Sequence, residues 1–351
     1  MSVAPPDTGD IFFDIRRGKH LANEYVWVSY YPLLLSRGYK LRPRYAPGWQ
    51  PSWEDPNVST AELLSHEDAL TPAKRAEIMD AVHLPDNRHV VLKKIRASSE
   101  ELQIAQFLSS KNLSSDPRNH AVPILDTIYD PNDKDVAFIV MPILLEMNYL
   151  PFRRVGEFAD AVRQYLTGLQ FMHENNIAHR DACYFNLMVD PTELIPGGFH
   201  FFRDTTHDGV TPWREWRERS FVKSLRYYFI DFGISRRYPT NTGVLDVGIS
   251  AQDQSFPERS ETVPYDPFKT DIYHLGNVIL NIAKEYDGLE YFSQIGNAMT
   301  QRNPADRASL SDMLAVVDRL RPKQLERRVW LKGNPWFLRI LIQFFGYDWC
   351  I

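Results

Sequence analysis

Between Gly48 and Gly156 this 351-residue chain contains no glycine. Glycine alone lets a backbone close on a ligand with bare N–H groups, so a glycine-rich phosphate cradle is excluded from that stretch. Cysteine is almost absent. Cys183 and Cys350 are too few for a disulfide framework, and no charged-then-apolar leader opens the chain, so the expected setting is reducing and intracellular, cytoplasmic or nuclear. Basic charge is not in excess: a net charge of -5 and a pI near 6.1 exclude bulk affinity for nucleic acid. No apolar run is long enough to cross a membrane. What is present argues for a folded chain, since 44% hydrophobic and 13% aromatic residues can bury one large or two medium cores.

The first 58 residues are the most aromatic part. Tyr25, Trp27, Tyr30, Tyr31, Tyr39, Tyr45, Trp49 and Trp53 alternate with Arg37, Lys40, Arg42 and Arg44, while Pro43, Pro47 and Pro51 break regular structure. Aromatic and basic interleaving suits single-stranded nucleic acid, but in an acidic chain a strap of aromatics packed on the folded domain is the expected role. Thr71-Pro72 marks a short helix within 61–80. Residues 81–84 and 88–95 then read as strand, turn and strand around Pro85-Asp86-Asn87. The second strand holds Val90-x-x-Lys93. Lysine in a strand is ordinarily a solvated face.

Ser98 to Leu108 follows as a helix on which Glu101, Ala105 and Leu108 share one face. Glu101 has two readings: an inward carboxylate, or the last member of a Ser98-x-x-Glu101 capping box, with Glu100 as the fallback partner for Lys93. Two further strands, 123–129 and 135–141, flank Asp130-Pro131-Asn132-Asp133. Glu157 to Asn175 is amphipathic at helical period through Phe158, Val162, Tyr165, Leu166, Leu169 and Met172. That helix delivers the chain to His179-Arg180-Asp181, and Asn186 follows five residues after the acid. Tyr227 to Ile230 reads as a strand leading into Asp231-Phe232-Gly233. Phe256-Pro257-Glu258, Asp271-x-x-x-x-Gly276 and Arg302 to Arg307 come later, with a helix over 310–320. Residues 331–351 are rich in Trp, Phe, Leu and Ile, expected to dock on the fold rather than lie on a membrane.

In this order and spacing the motifs resemble those of the eukaryotic protein kinases. Arg42 to Trp53 and Asp266 to Gly276 look like the divergent kinase-like proteins of mushroom-forming fungi. The resemblance implies an α+β, two-lobed kinase-like fold. Residues 1–58 would be an extension packing on the domain, 59–144 a small β-rich lobe, 145–325 a larger helical lobe and 326–351 an apolar tail. Residues 191–226 would be an insertion, an ordered protruding loop where kinases have a tight turn.

It also implies MgATP as cofactor and a protein hydroxyl as acceptor, with no nucleic-acid partner, no transmembrane segment and no indication of oligomeric state. By position, Lys93 would hold phosphates and Glu101 orient it. Val91 and Met188 would sandwich the adenine, Met141 would be the gatekeeper, and Pro142 and Leu144 would offer hinge backbone groups. Asp181 would be the catalytic base, with Asn186 and Asp231 as Mg2+ ligands. Glu258 and Arg307 would form a buried pair, Asp271 would cap the catalytic loop, and Arg180 would dock a phosphate placed on Thr240, Thr242, Ser250 or Ser255. Two positions depart from the pattern: the missing glycines, and Cys183, where serine/threonine kinases carry a lysine that touches the transferred phosphate. A pseudokinase serving as a binding or scaffolding module is the alternative reading.

Overall fold

The computed structural model describes residues 11–71, 76–212 and 215–333. The apolar stretch expected to dock falls almost wholly after 333, and Pro72 within 72–75, so both expectations lie outside the described residues. Among the described residues no helix is long and apolar enough to cross a membrane. The fold is mixed α+β, with a curled sheet and several helices. Two compact units divide the chain. One comprises Met1–Ser99, Ile124–Ile143 and Ile195–Trp216, the other Glu100–Pro123, Leu144–Leu194 and Arg217–Ile351.

The first unit is built on a five-stranded sheet of β1 (Tyr39–Lys40), β2 (Ile78–His83), β3 (Arg88–Arg96), β4 (Asp126–Tyr129) and β5 (Val136–Pro142). The order is β1-β2-β3-β5-β4. All four pairings are antiparallel, and the register sets Val91 opposite Met141 and Lys93 opposite Ile139. One face of the sheet is covered by the N-terminal segment. Trp27, Tyr31 and Leu34 join Met79, Val90, Leu92, Phe138 and Val140 in a single buried cluster. Side chains alternate along a strand, so Val91 and Lys93 take the opposite face.

The prolines at 43, 47 and 51 do not prevent helix earlier in the strap: Tyr25–Ser36 is a helix even with Pro32 inside it. Its residues 27, 31 and 34 fall at helical spacing, and their burial outweighs the bond lost at the proline. Nearer 71, the helical turns are Thr60–Leu63 and Glu67–Ala69.

The strap is fastened by charge as well as by aromatic packing. Arg44 and Glu24 are both fully buried, with Nε and Nη2 of the arginine 2.6 and 2.8 Å from the two carboxylate oxygens. Two further guanidinium hydrogens go to the carbonyls of Lys19 and Asp68. The 195–216 part of the insertion packs on this strap and on the helical turns that follow it. His200 Nε2 lies 3.1 Å from Glu67, Arg203 donates to the Leu64 carbonyl at 2.6 Å, and Arg42 stacks 4.7 Å from the Phe202 ring centroid. Those partners are more than a hundred residues away in sequence, so local pattern carried no sign of them.

The second unit centres on the Val155–Glu174 helix, whose predicted apolar face is buried throughout. Strands Leu145–Glu146, Leu187–Val189 and Tyr227–Phe229 form one small antiparallel sheet. Helices Pro267–Glu285 and Phe292–Met299 meet closely because glycine sits at both contact points. A Cβ on Gly276 would stand 2.5 Å from that of Met299, and one on Gly296 would stand 2.4 Å from Leu280.

Two outcomes follow from this packing. Arg44→Ala leaves the buried Glu24 carboxylate uncompensated and should lower stability by roughly 3–5 kcal/mol, read from the urea midpoint. A loss below about 1 kcal/mol would contradict the buried pairing. The His120 ring, against the Tyr227 carbonyl at 2.9 Å, is pushed by burial down to about 4 from its ordinary 6.5. A depressed folded-state pKa means that the unfolded chain binds the extra proton first. Its contribution is therefore full above pH 6.5 and lost as pH falls towards 4, and His120→Asn should flatten that part of the acid stability profile.

Candidate active site

The path from the long helix to the acid is held by one carboxylate. Asn176 turns the chain with φ of 61°, Ile177–Ala178 pairs antiparallel with Arg236–Arg237, and Arg180 is left-handed at φ 65°. Asp271, in the first turns of the Pro267–Glu285 helix, accepts the His179 N–H at 2.7 Å and the Arg180 N–H at 2.6 Å. His173 Nε2 lies 3.0 Å from the same carboxylate, which is fully buried. Asp271 thus satisfies two buried amides and over-determines a backbone conformation costly for arginine. The helix that carries it starts cleanly, with Pro267 at its first position and Asp266 accepting the Phe268 N–H at 2.9 Å.

Asp181 follows, 7% exposed. Its Oδ2 accepts from Asn186 Nδ2 at 2.9 Å, the same amide reaches its carbonyl at 2.9 Å, and its Oδ1 accepts the Gln252 N–H at 2.8 Å. With its nitrogen committed, Asn186 has its amide oxygen left as the donor atom for a cation. Cys183 is buried beside Asp181, and desolvation together with that negative charge pushes its thiol well above the ordinary value. A neutral thiol there supplies neither a nucleophile nor a cation.

Strand pairing brings the two expected metal ligands, far apart in sequence, to the ends of adjacent strands. Leu187 is opposite Phe229, and the Ile230 N–H donates to the Asn186 carbonyl at 3.1 Å, so Asp231 emerges just past Asn186. Asp231 is exposed and left-handed at φ 63°, its Oδ1 accepting the Gly233 N–H at 3.2 Å. Phe232 beside it is buried against the His179 ring.

The two glutamates separate. Glu101 Oε2 comes within 3.7 Å of where a Cβ on Gly233 would stand, whereas Glu100 is exposed and lies 3.7 Å from Arg236. Glu101 is therefore the one that faces the Asp231-Phe232-Gly233 turn.

The remaining predicted residues divide between the units. Val91, Lys93, Met141 and Pro142 belong to the first, where Val91 is buried, Lys93 is half-buried and Pro142 closes β5 opposite Val90. Leu144 and Met188 belong to the second, Met188 being buried with its carbonyl accepting the Tyr165 hydroxyl at 2.8 Å. Glu258 and Arg307 meet as a two-pronged pair, both contacts 2.6 Å, with the guanidinium fully buried. Arg180, expected to dock a phosphate, reaches the Val247 carbonyl at 2.8 Å and Asp246 at 3.4 Å. Neither Asp246 nor Gln252 falls in a motif, so pattern reading passed over both.

No family model matches the chain. Among curated proteins, a 120-residue stretch is 31% identical to the cyclin-dependent kinase 1 of Encephalitozoon cuniculi, covering 31% of this chain and 40% of that protein. Over 228 residues the chain is 24% identical to a probable serine/threonine-protein kinase of Clostridium acetobutylicum, covering 62% of this chain and 29% of that protein. It spans less than half the length of either relative. The chain is similar to protein kinases at low identity.

Removing the Asp271 side chain should expose how much the loop owes to it. Asp271→Ala leaves two buried N–H groups without an acceptor, at about 1–3 kcal/mol each. Urea denaturation should show that loss, and amide hydrogen exchange at 179–181 should quicken beyond the rest of the unit. Unchanged exchange there would mean that the loop holds its shape without Asp271.

Proposed function

We propose that the chain is a protein kinase, transferring the γ-phosphoryl group of MgATP to a protein hydroxyl, with its two compact units as the lobes of a kinase-like fold. The observation that carries this reading is the set gathered in the second unit: Asp181 bonded to Asn186, and Asp231 one strand step beyond it. An amide oxygen and an exposed carboxylate are hard donors suited to Mg2+, which when bound would neutralise charge on the phosphates. Asp181 would accept the proton of the acceptor hydroxyl, and the donors from Asn186 and Gln252 would keep it oriented. Arg180 would act as a positioning residue. The roles implied for Lys93, Val91, Met141, Pro142, Leu144 and Met188 towards the nucleotide, and for Glu101 towards Lys93, belong to the same proposal. So does kinship with the divergent kinase-like proteins of mushroom-forming fungi, which rests on the Arg42 to Trp53 and Asp266 to Gly276 segments.

A second reading has specific support. The absence of glycine from 49 to 155 removes the backbone cover for phosphates, and Asp181 is buried under Gln252, as suits a pseudokinase that binds or scaffolds. Melting the purified chain with and without MgATP tests the nucleotide part. Binding at a hundredfold excess over Kd should stabilise it by about 2.7 kcal/mol, and Asp231→Asn should abolish the metal-dependent share. A melting temperature unmoved by MgATP would overturn the kinase reading in favour of the scaffold.

A further inference from the structure

The segment after Asp231-Phe232-Gly233 carries a charge arrangement that no motif announces. Asp246 opens a two-stranded ribbon, Asp246–Gly248 paired with Ser260–Tyr265, which is closed by the Tyr265 hydroxyl on the Gly248 carbonyl at 2.6 Å. Its Oδ2 accepts from the Tyr238 hydroxyl at 2.6 Å and from Arg236 Nη1 at 3.0 Å, and lies 3.4 Å from Arg180 Nη1. Its Oδ1 takes its own neighbour's amide, Val247 N–H, at 2.7 Å and Arg236 Nη1 at 3.2 Å. The side chains of Asp246 and Arg180 are only 10% and 14% exposed, so their contact is less screened than a surface pair, whereas Arg236 is 48% exposed. Burial alone would raise the Asp246 pKa, but the Tyr238 and Val247 donors and the two arginines outweigh it and hold the group below the usual carboxylate range. It is ionised at neutral pH.

The cluster is also neutral. Arg180 and Arg236 bring two positive charges, Asp246 brings one negative charge, and Glu100, 3.7 Å from Arg236, brings the other. Arg237 next door is taken up by the Phe107 ring, 3.7 Å from its centroid, which ties the same stretch to the Glu100–Leu108 helix. Ser250 lines a cavity of about 300 Å3 with Glu100, Arg180 and Arg236. A phosphate there would bring close to two further negative charges to arginines that are already balanced.

We propose that Asp246 is a built-in anion that anchors residues 236–265 through Arg180 and Arg236, so that this segment is ordered without phosphorylation. The anchoring stands on the second unit alone; only its consequence for catalysis rests on the kinase reading.

The test uses the full chain with limited proteolysis and hydrogen exchange across 236–265. Wild type should keep its protection after phosphatase treatment and when Thr240, Thr242, Ser250 and Ser255 are all alanine. Asp246→Ala should open the segment roughly tenfold or more, as expected for losing charge-assisted hydrogen bonds. Inorganic phosphate should restore protection in that variant by re-entering the arginine pair, and should leave wild type unchanged. Asp246→Asn, which keeps the shape without the charge, should open the segment while the Val155–Glu174 helix stays protected. It therefore separates local release from a general failure to fold. Opening of wild type by phosphatase, or undisturbed protection in Asp246→Asn, would overturn the proposal. MgATP binding enters none of these readings, so failure here is distinguishable from failure of the kinase proposal.

Discussion

Two backbone amides on one carboxylate set the geometry on which the candidate site depends. By accepting the N–H groups of His179 and Arg180, Asp271 fixes a left-handed arginine between a two-residue strand and the acid. From that point the rest is short-range. Asp181 sits one residue on, Asn186 folds back to bond it, and the guanidinium of Arg180 is directed to Asp246 and Val247. The carboxylate itself rides on a well-capped helix, whose other end is gripped through Gly276 and Gly296. Rigidity in the second unit is thereby delivered to the residues that chemistry would use.

The first unit answers a different demand. Its sheet carries Val91 and Lys93 on one face while the strap covers the other, and the strap is pinned by a fully buried Arg44–Glu24 pair and by the 195–216 segment. Without glycine from 49 to 155, nothing in β2 or β3 can offer a phosphate the close backbone approach that glycine permits. Any grip on phosphates must then come from side chains and metal, and Cys183 does not add a cation beside Asp181.

Much of this was legible in the chain, for identifiable reasons. Asp181, Asn186, Asp231, Asp271 and the Glu258–Arg307 pair sit in motifs that resemble those of protein kinases, and that resemblance implied the Asp271 and Glu258–Arg307 contacts. The strands at 88–96 and 136–142 announce themselves by short continuous apolar runs that are buried on both faces, and the helix at 155–174 by burial at a period of 3.6. The Tyr25–Ser36 helix was hidden by prolines that lie beyond it and by one that it tolerates. The docking of 195–216 depends on His200, Phe202 and Arg203 finding partners far back in sequence. That Glu101 turns towards Gly233 and Glu100 towards Arg236 is not written in the helix pattern, and Asp246 had no pattern at all: an isolated acid becomes an anchor only when Arg180, Arg236 and Tyr238 close around it.

Asp181, oriented by Asn186 within an Asp271-held loop, is proposed to accept a proton during phosphoryl transfer. Transfer of labelled γ-phosphate from MgATP to the chain itself or to a generic protein acceptor tests it most directly, comparing wild type with a folded Asp181→Asn. The account predicts measurable incorporation by wild type and its loss in the variant, by roughly a hundredfold or more, as for removal of a general base. Equal incorporation by both proteins, or none by a wild type that binds MgATP, would contradict it.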